Sequence, residues 1–157
     1  MRSRMWSLAV ASMLAACSGG GGGGGPVGNG GPPAVAGTYN ATFTATQATG
    51  CQDFVTTGSS TTGSMTVSQS GSTVTLQIAG LHPVIASNPV GTISDTGVYH
   101  FGPGSVLIDG DPADPNSQLF MAMGTFDGSF SGNSMNIGFN FTLATCNVVG
   151  TITGTRS

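Results

Sequence analysis

The chain contains no lysine and no glutamate, and its single tryptophan, Trp6, lies within the first ten residues. Past Ala16 the charged side chains are six aspartates (53, 95, 109, 111, 114 and 127) against Arg156 alone, which leaves five net negative charges. One cation cannot neutralise a row of phosphates, so nucleic-acid binding has no electrostatic basis. Catalytic motifs are absent too. The segment "GSFSG" centres on Phe130 rather than on the serine of a nucleophile elbow. Neither His-x-x-x-His nor Cys-x-x-Cys occurs, and the two histidines, His82 and His100, stand 18 residues apart. His100 reads as a strand residue with one satisfied nitrogen, and no enzyme activity is expected. No stretch of ten residues combines helical spacing with good helix formers. The one long apolar run, Met5 to Ala16, has 12 residues, short of the roughly 20 that span a bilayer.

What is present begins at that run. Arg2 and Arg4 precede it and small residues follow it, the pattern of a secretory signal peptide. Leu14-Ala15-Ala16-Cys17 resembles the lipobox of bacterial lipoproteins at all four positions. The resemblance implies cleavage before Cys17 and acylation of Cys17, hence a membrane partner held through lipid. It also implies outer-membrane sorting, because Ser18 stands where an aspartate would signal inner-membrane retention. One acyl chain binds only marginally, whereas several together anchor stably. Residues 17–33, including seven consecutive glycines, read as a lipidated cysteine and flexible tether. Such chain reaches about 20–25 Å on average. The expected organisation is therefore signal peptide 1–16, tether 17–33 and one domain 34–157.

That domain is rich in Gly, Thr, Ser and Val with closely spaced turn signals, an all-β composition. A two-residue turn at Gly132-Asn133 pairs Phe130 with Met135, Phe126 with Phe139, Gly124 with Phe141 and Ala122 with Leu143. One face becomes apolar and the other polar. A four-residue loop over Ala144–Asn147 would then set Leu143 against Val148, Phe141 against Gly150 and Phe139 against Ile152. Inward glycines opposite aromatics predict a strongly coiled sheet. A second hairpin sets Met65 and Val67 on one face with Val74, Leu76 and Ile78, its turn at Ser70-Gly71 or Gly71-Ser72. A third surrounds Asp95 to Gly97. An opening strand carries Tyr39, Ala41, Phe43 and Ala45 on one side.

Cys51 follows the first strand and Cys146 precedes the last. In an even-stranded up-and-down barrel those points share one rim, so closure predicts a Cys51–Cys146 disulfide in the oxidising envelope. The expected fold is an antiparallel meander closing into a small barrel of about eight strands. Gly37-Thr38-Tyr39 and Arg156 resemble the Gly-x-Trp and final-strand arginine of the calycins, the lipocalin- and avidin-like barrels, with Tyr for Trp. The resemblance implies that Tyr39 and Arg156 pack across a closed barrel end. A transmembrane barrel is disfavoured because most strands look shorter than the 9–11 residues required and no aromatic girdle is visible.

One polar concentration remains. Asp109, Asp111 and Asp114, with Asn116, offer oxygens of the kind calcium takes. Asp-Gly and Asp-Pro are equally ordinary turn pairs, and no closing glutamate is available. The function expected is thus a non-catalytic, membrane-anchored envelope lipoprotein acting by binding or interaction. The alternatives are a carrier of a small apolar ligand, if phenylalanines leave the lumen open, and a calcium-stabilised structural module.

Overall fold

The computed structural model describes residues 30–51, 55–79, 81, 84–85, 87–109 and 119–157. These form nine antiparallel strands: β1 Gly37–Thr49, β2 Ser60–Ser70, β3 Thr73–Ala79, β4 Val84–Ile85, β5 Val90–Ile93, β6 Val98–Asp109, β7 Leu119–Ser131, β8 Ser134–Leu143 and β9 Cys146–Arg156. β1, β2 and β3 pair in sequence, β5 joins β3 to β6, β6 to β9 pair in sequence, and β1 pairs with β9. The sheet therefore closes on itself. The short β4 and β5 run in the same direction along β6, β4 at Val84↔Asp109 and β5 at Thr92↔His100. They act as two pieces of one interrupted strand, which makes the barrel eight-stranded.

Alternation dictates this closure. Tyr39, Ala41, Phe43 and Ala45 of β1 are buried, as are Met65 and Val67, and Val74, Leu76 and Ile78. Their neighbours in sequence carry hydroxyls and amides outward. A period of two with one face apolar leaves each hairpin a single parity that does not invert burial.

The expected registers hold at two hairpins. Phe130↔Met135, Phe126↔Phe139 and Gly124↔Phe141 pair as read, down to Met123↔Thr142. Ser70↔Thr73 places the second turn at Gly71-Ser72. The last hairpin differs. Leu143 faces Cys146, so Phe141 meets Val148, Phe139 meets Gly150 and Ile137 meets Ile152. The loop is Ala144-Thr145 rather than four residues, with Ala144 at a positive φ of 49°. A two-residue slip preserves which face is buried, so apolar patterning alone does not separate the two registers. What favours the tighter one is Asn147, whose amide donates to Asn140 Oδ1 and Thr142 Oγ1 across the turn.

Strand length was a poor reason to reject a membrane-spanning barrel: six of the strands contain 10–13 residues. Sidedness is the better reason. Core residues face the lumen, while β1, β2, β8 and β9 present Thr, Ser and Asn outward, the reverse of a lipid-facing apolar band. The Cys51–Cys146 disulfide is formed, 95 residues apart in sequence. It lies at the rim where β1 ends and β9 begins, beside Thr49↔Asn147.

Candidate interaction face

The two barrel ends are built differently. At the closed end, residues 33–36 cross beneath the lumen as a strap. Val35 is buried, and its N–H donates to Gln69 Oε1 at 2.8 Å. The Gln69 amide in turn donates to the carbonyls of Pro33 and Gly71, both at 3.0 Å. Tyr39, wholly buried, donates its hydroxyl to Val35 O at 2.8 Å.

Tyr39 and Arg156 are cross-strand partners. Their roles are distinct. Tyr39 points inward, its ring edge-on to Phe130 at 5.8 Å. The Arg156 side chain lies over Gly37, whose missing Cβ would approach Arg156 Cδ to 2.7 Å. Its guanidinium donates to Asn133 Oδ1 at 3.0 Å and to the carbonyls of Ala34 and Ala36 at 3.4 and 3.3 Å. Burial raises the Tyr39 pKa, opposed by the positive charge of Arg156.

Aromatic rings occupy the lumen above this base. Phe43 stacks on Phe139 at 4.6 Å, and Phe139 stacks on Phe141 at 5.1 Å. Phe126 meets Phe141 and Phe101 edge-on at 4.9 and 5.5 Å. The inward glycines do not free space for a ligand; they are where the rings sit. A Cβ on Gly150 would strike the Phe139 ring and Thr44 O, and one on Gly124 would strike Phe141. Tyr99 lies across Gly91 in the same manner. Its hydroxyl is buried and has no hydrogen-bond partner among the described residues, and burial raises its pKa strongly.

The outer face of β1, β2, β8 and β9 is polar. A shallow groove of about 370 Å³ crosses β1, β9 and β8 near the closed end, lined by Asn40, Thr42, Ser134, Thr153 and Thr155, with Gly154 and Met135 completing it. On the adjoining strands, His100 of β6 and Asp127 of β7 are register partners, and Nδ1 of the imidazole meets Oδ1 of the carboxylate. Both side chains are more than half exposed. The hydrogen bond from Asp127, then its charge, raises the His100 pKa above 6.5; a backbone bond to Gly102 adds to this and desolvation opposes it. Toward the disulfide rim, Leu107, Met121 and Met123 are exposed on β6 and β7.

Asp109 ends β6 opposite Leu119. Asp111, Asp114, His82 and Cys17 lie outside the described residues. Among the described residues no three His, Cys, Asp or Glu side chains gather as a metal site would require. Sequence reading missed the Gln69 clasp, the His100–Asp127 pair and the groove. A register between β6 and β7 would have been needed to find the pair, and the chain between those strands carries no short turn signal that fixes one. No family model, curated protein or solved structure gives a significant match to this chain.

Proposed function

We propose that this protein is a non-catalytic bacterial envelope lipoprotein, anchored through acylated Cys17, whose β-barrel works as an interaction module through its outer face. The observation that carries the reading is the division of the barrel wall: stacked rings fill the lumen, and on β1, β2, β8 and β9 uncharged hydroxyls and amides cover the outside. A carrier of a small apolar ligand needs the opposite, an open apolar cavity of a few hundred Å³. The strap supports anchoring at a defined place. Residues 33–36 are clasped by Gln69 and Arg156, so a tether from Cys17 would enter at the closed end and leave the disulfide rim distal to the membrane. Gly37, Tyr39 and Arg156 converging on that end support a calycin-like architecture. The outer membrane is the proposed location, on the lipobox resemblance and Ser18.

The test is Cys17→Ser in a bacterial host. The parent chain should incorporate radiolabelled palmitate and sediment with membranes, while the variant should do neither and be released or remain unprocessed. Membrane attachment of Cys17→Ser without label would overturn the anchoring.

A further inference from the structure

We infer that the groove across β1, β9 and β8 is a binding site for a neutral polyhydroxylated ligand, a saccharide, which deepens the outer-face reading above and rests on it. Strand register builds the site. Asn40↔Thr155↔Ser134 forms one row across three strands, and Thr42↔Thr153↔Asn136 forms the next. Neighbouring strands stand about 4.8 Å apart and alternate residues of one strand about 6.6 Å apart, so the rows make a small lattice of polar groups.

Concavity together with unpartnered side chains sets these groups apart; Thr38 and Thr151 on the same strands also lack side-chain partners among the described residues but do not line the groove. Toward the disulfide rim, Thr44 Oγ1 bonds Ser60 Oγ, Thr46 donates to Val149 O, and Asn147 donates to Asn140 and Thr142. Around the groove the side chains of Asn40, Thr42, Ser134, Thr153 and Thr155 have no protein partner among the described residues. Each hydroxyl both donates and accepts, and the amide does both at separate atoms. The set is therefore complementary to ligand hydroxyls, which also do both.

Charge and apolarity exclude the other ligand classes. No ionised side chain lines the groove, and Arg156 directs its guanidinium to Asn133, Ala34 and Ala36 instead. A phosphate, carboxylate or cation would find no counter-charge there. The exposed large apolar residues among those described, Val90, Val98, Leu107, Phe120, Met121 and Met123, belong to β5, β6 and β7, and Met135 is the one large apolar side chain lining the groove, so a lipid chain finds no extended apolar surface there.

The experiment is amide chemical-shift mapping on the ¹⁵N-labelled Cys17→Ser chain with millimolar maltotetraose, cellotetraose and chitotetraose, and with inorganic phosphate. At least one oligosaccharide should shift amides confined to residues 40–42, 134–136 and 153–155, saturably, while phosphate leaves them unmoved. Thr42→Val with Thr153→Val keeps the β-branched shape but removes two hydroxyls, and should weaken binding about tenfold, equivalent to about 1.4 kcal/mol. Thr66→Val with Thr75→Val, elsewhere on the outer face, should bind as the parent does. The inference is overturned if no oligosaccharide shifts the groove, if shifts spread over the whole outer face, if phosphate reproduces them, or if the Thr42/Thr153 variant binds unchanged. Because the chain tested is unacylated, failure here leaves the anchoring reading standing, and failure of anchoring leaves the groove standing.

Discussion

Arg156 covers Gly37. The last strand's arginine lays its aliphatic stem over the first strand's glycine, whose φ of 152° few side chains adopt. Gly37→Ala would force both a strained backbone and a 2.7 Å approach to Arg156 Cδ. It should destabilise the barrel by about 1–3 kcal/mol, read as a lower urea midpoint at constant m. Arg156→Ala in the same background should recover the steric part of that loss but not the conformational part. Full additivity of the two losses would show that the residues do not interact.

Gly150→Ala is expected to cost more. Its Cβ would collide with Thr44 O as well as the Phe139 ring, and a backbone oxygen paired in the β1–β9 ladder cannot withdraw as a side chain can. Overpacking of this kind typically costs 1–3 kcal/mol and occasionally more, so we expect about 3 kcal/mol or failure to fold. Gly132→Ala, at a turn glycine with φ 58° and nothing near its Cβ, should be the milder variant, at about 1 kcal/mol. The opposite order in thermal melting would contradict this packing.

Reducing Cys51–Cys146 should lower stability by up to about 4–5 kcal/mol by the loop-entropy relation for a bridge of this span. The β1–β9 ladder should persist, because ten register pairs hold it without the bridge. Denaturation with and without reductant measures the first expectation. Backbone amide protection at Phe43 and Thr151 in the reduced protein measures the second.

His100 should titrate above 6.5, and Asp127→Asn should return it toward that value, as followed by the imidazole proton resonances. A pKa raised by folding means that the protonated form binds Asp127 in the native state. The stabilisation is therefore full below the unfolded-state pKa and fades as pH rises through the folded one. Unchanged titration in Asp127→Asn would remove Asp127 as the cause. At the alkaline end the two tyrosines act in the same sense. Burial raises both pKa values, so stability should fall above about pH 10, and phenolate absorbance should appear together with unfolding rather than before it.

The closed barrel, its inward residues and its disulfide were legible because each rests on a binary signal. Alternation of Phe126, Gly128 and Phe130 against Met135, Ile137 and Phe139 admits one parity, and parity carried around eight strands leaves Cys51 and Cys146 on one rim. The last hairpin's register was not legible, since shifting Phe139 from Ile152 to Gly150 keeps every apolar side chain inside. The Gln69 clasp was illegible for a different reason. Gln69 occupies the inward parity of β2, in line with buried Met65 and Val67 and opposite Val74, but only the three-dimensional path of Pro33 to Val35 shows what its amide holds. The groove similarly emerges from three strands whose residues lie far apart in sequence.

The interrupted strand has a mechanical consequence. Barrels closed by their terminal strands are commonly thought to open at that junction, yet here β1 and β9 share ten register pairs and a covalent rivet. The described pairing of β5 amounts to three residues with β3 and two with β6. The hoop is thus strongest where the chain's ends meet and thinnest midway along the polypeptide. Fluctuations that breach the wall are therefore expected to begin in the interrupted β4–β5 strand, where the Tyr99 ring lies on Gly91, and amide exchange faster at Gly91 than at Phe43 would register this.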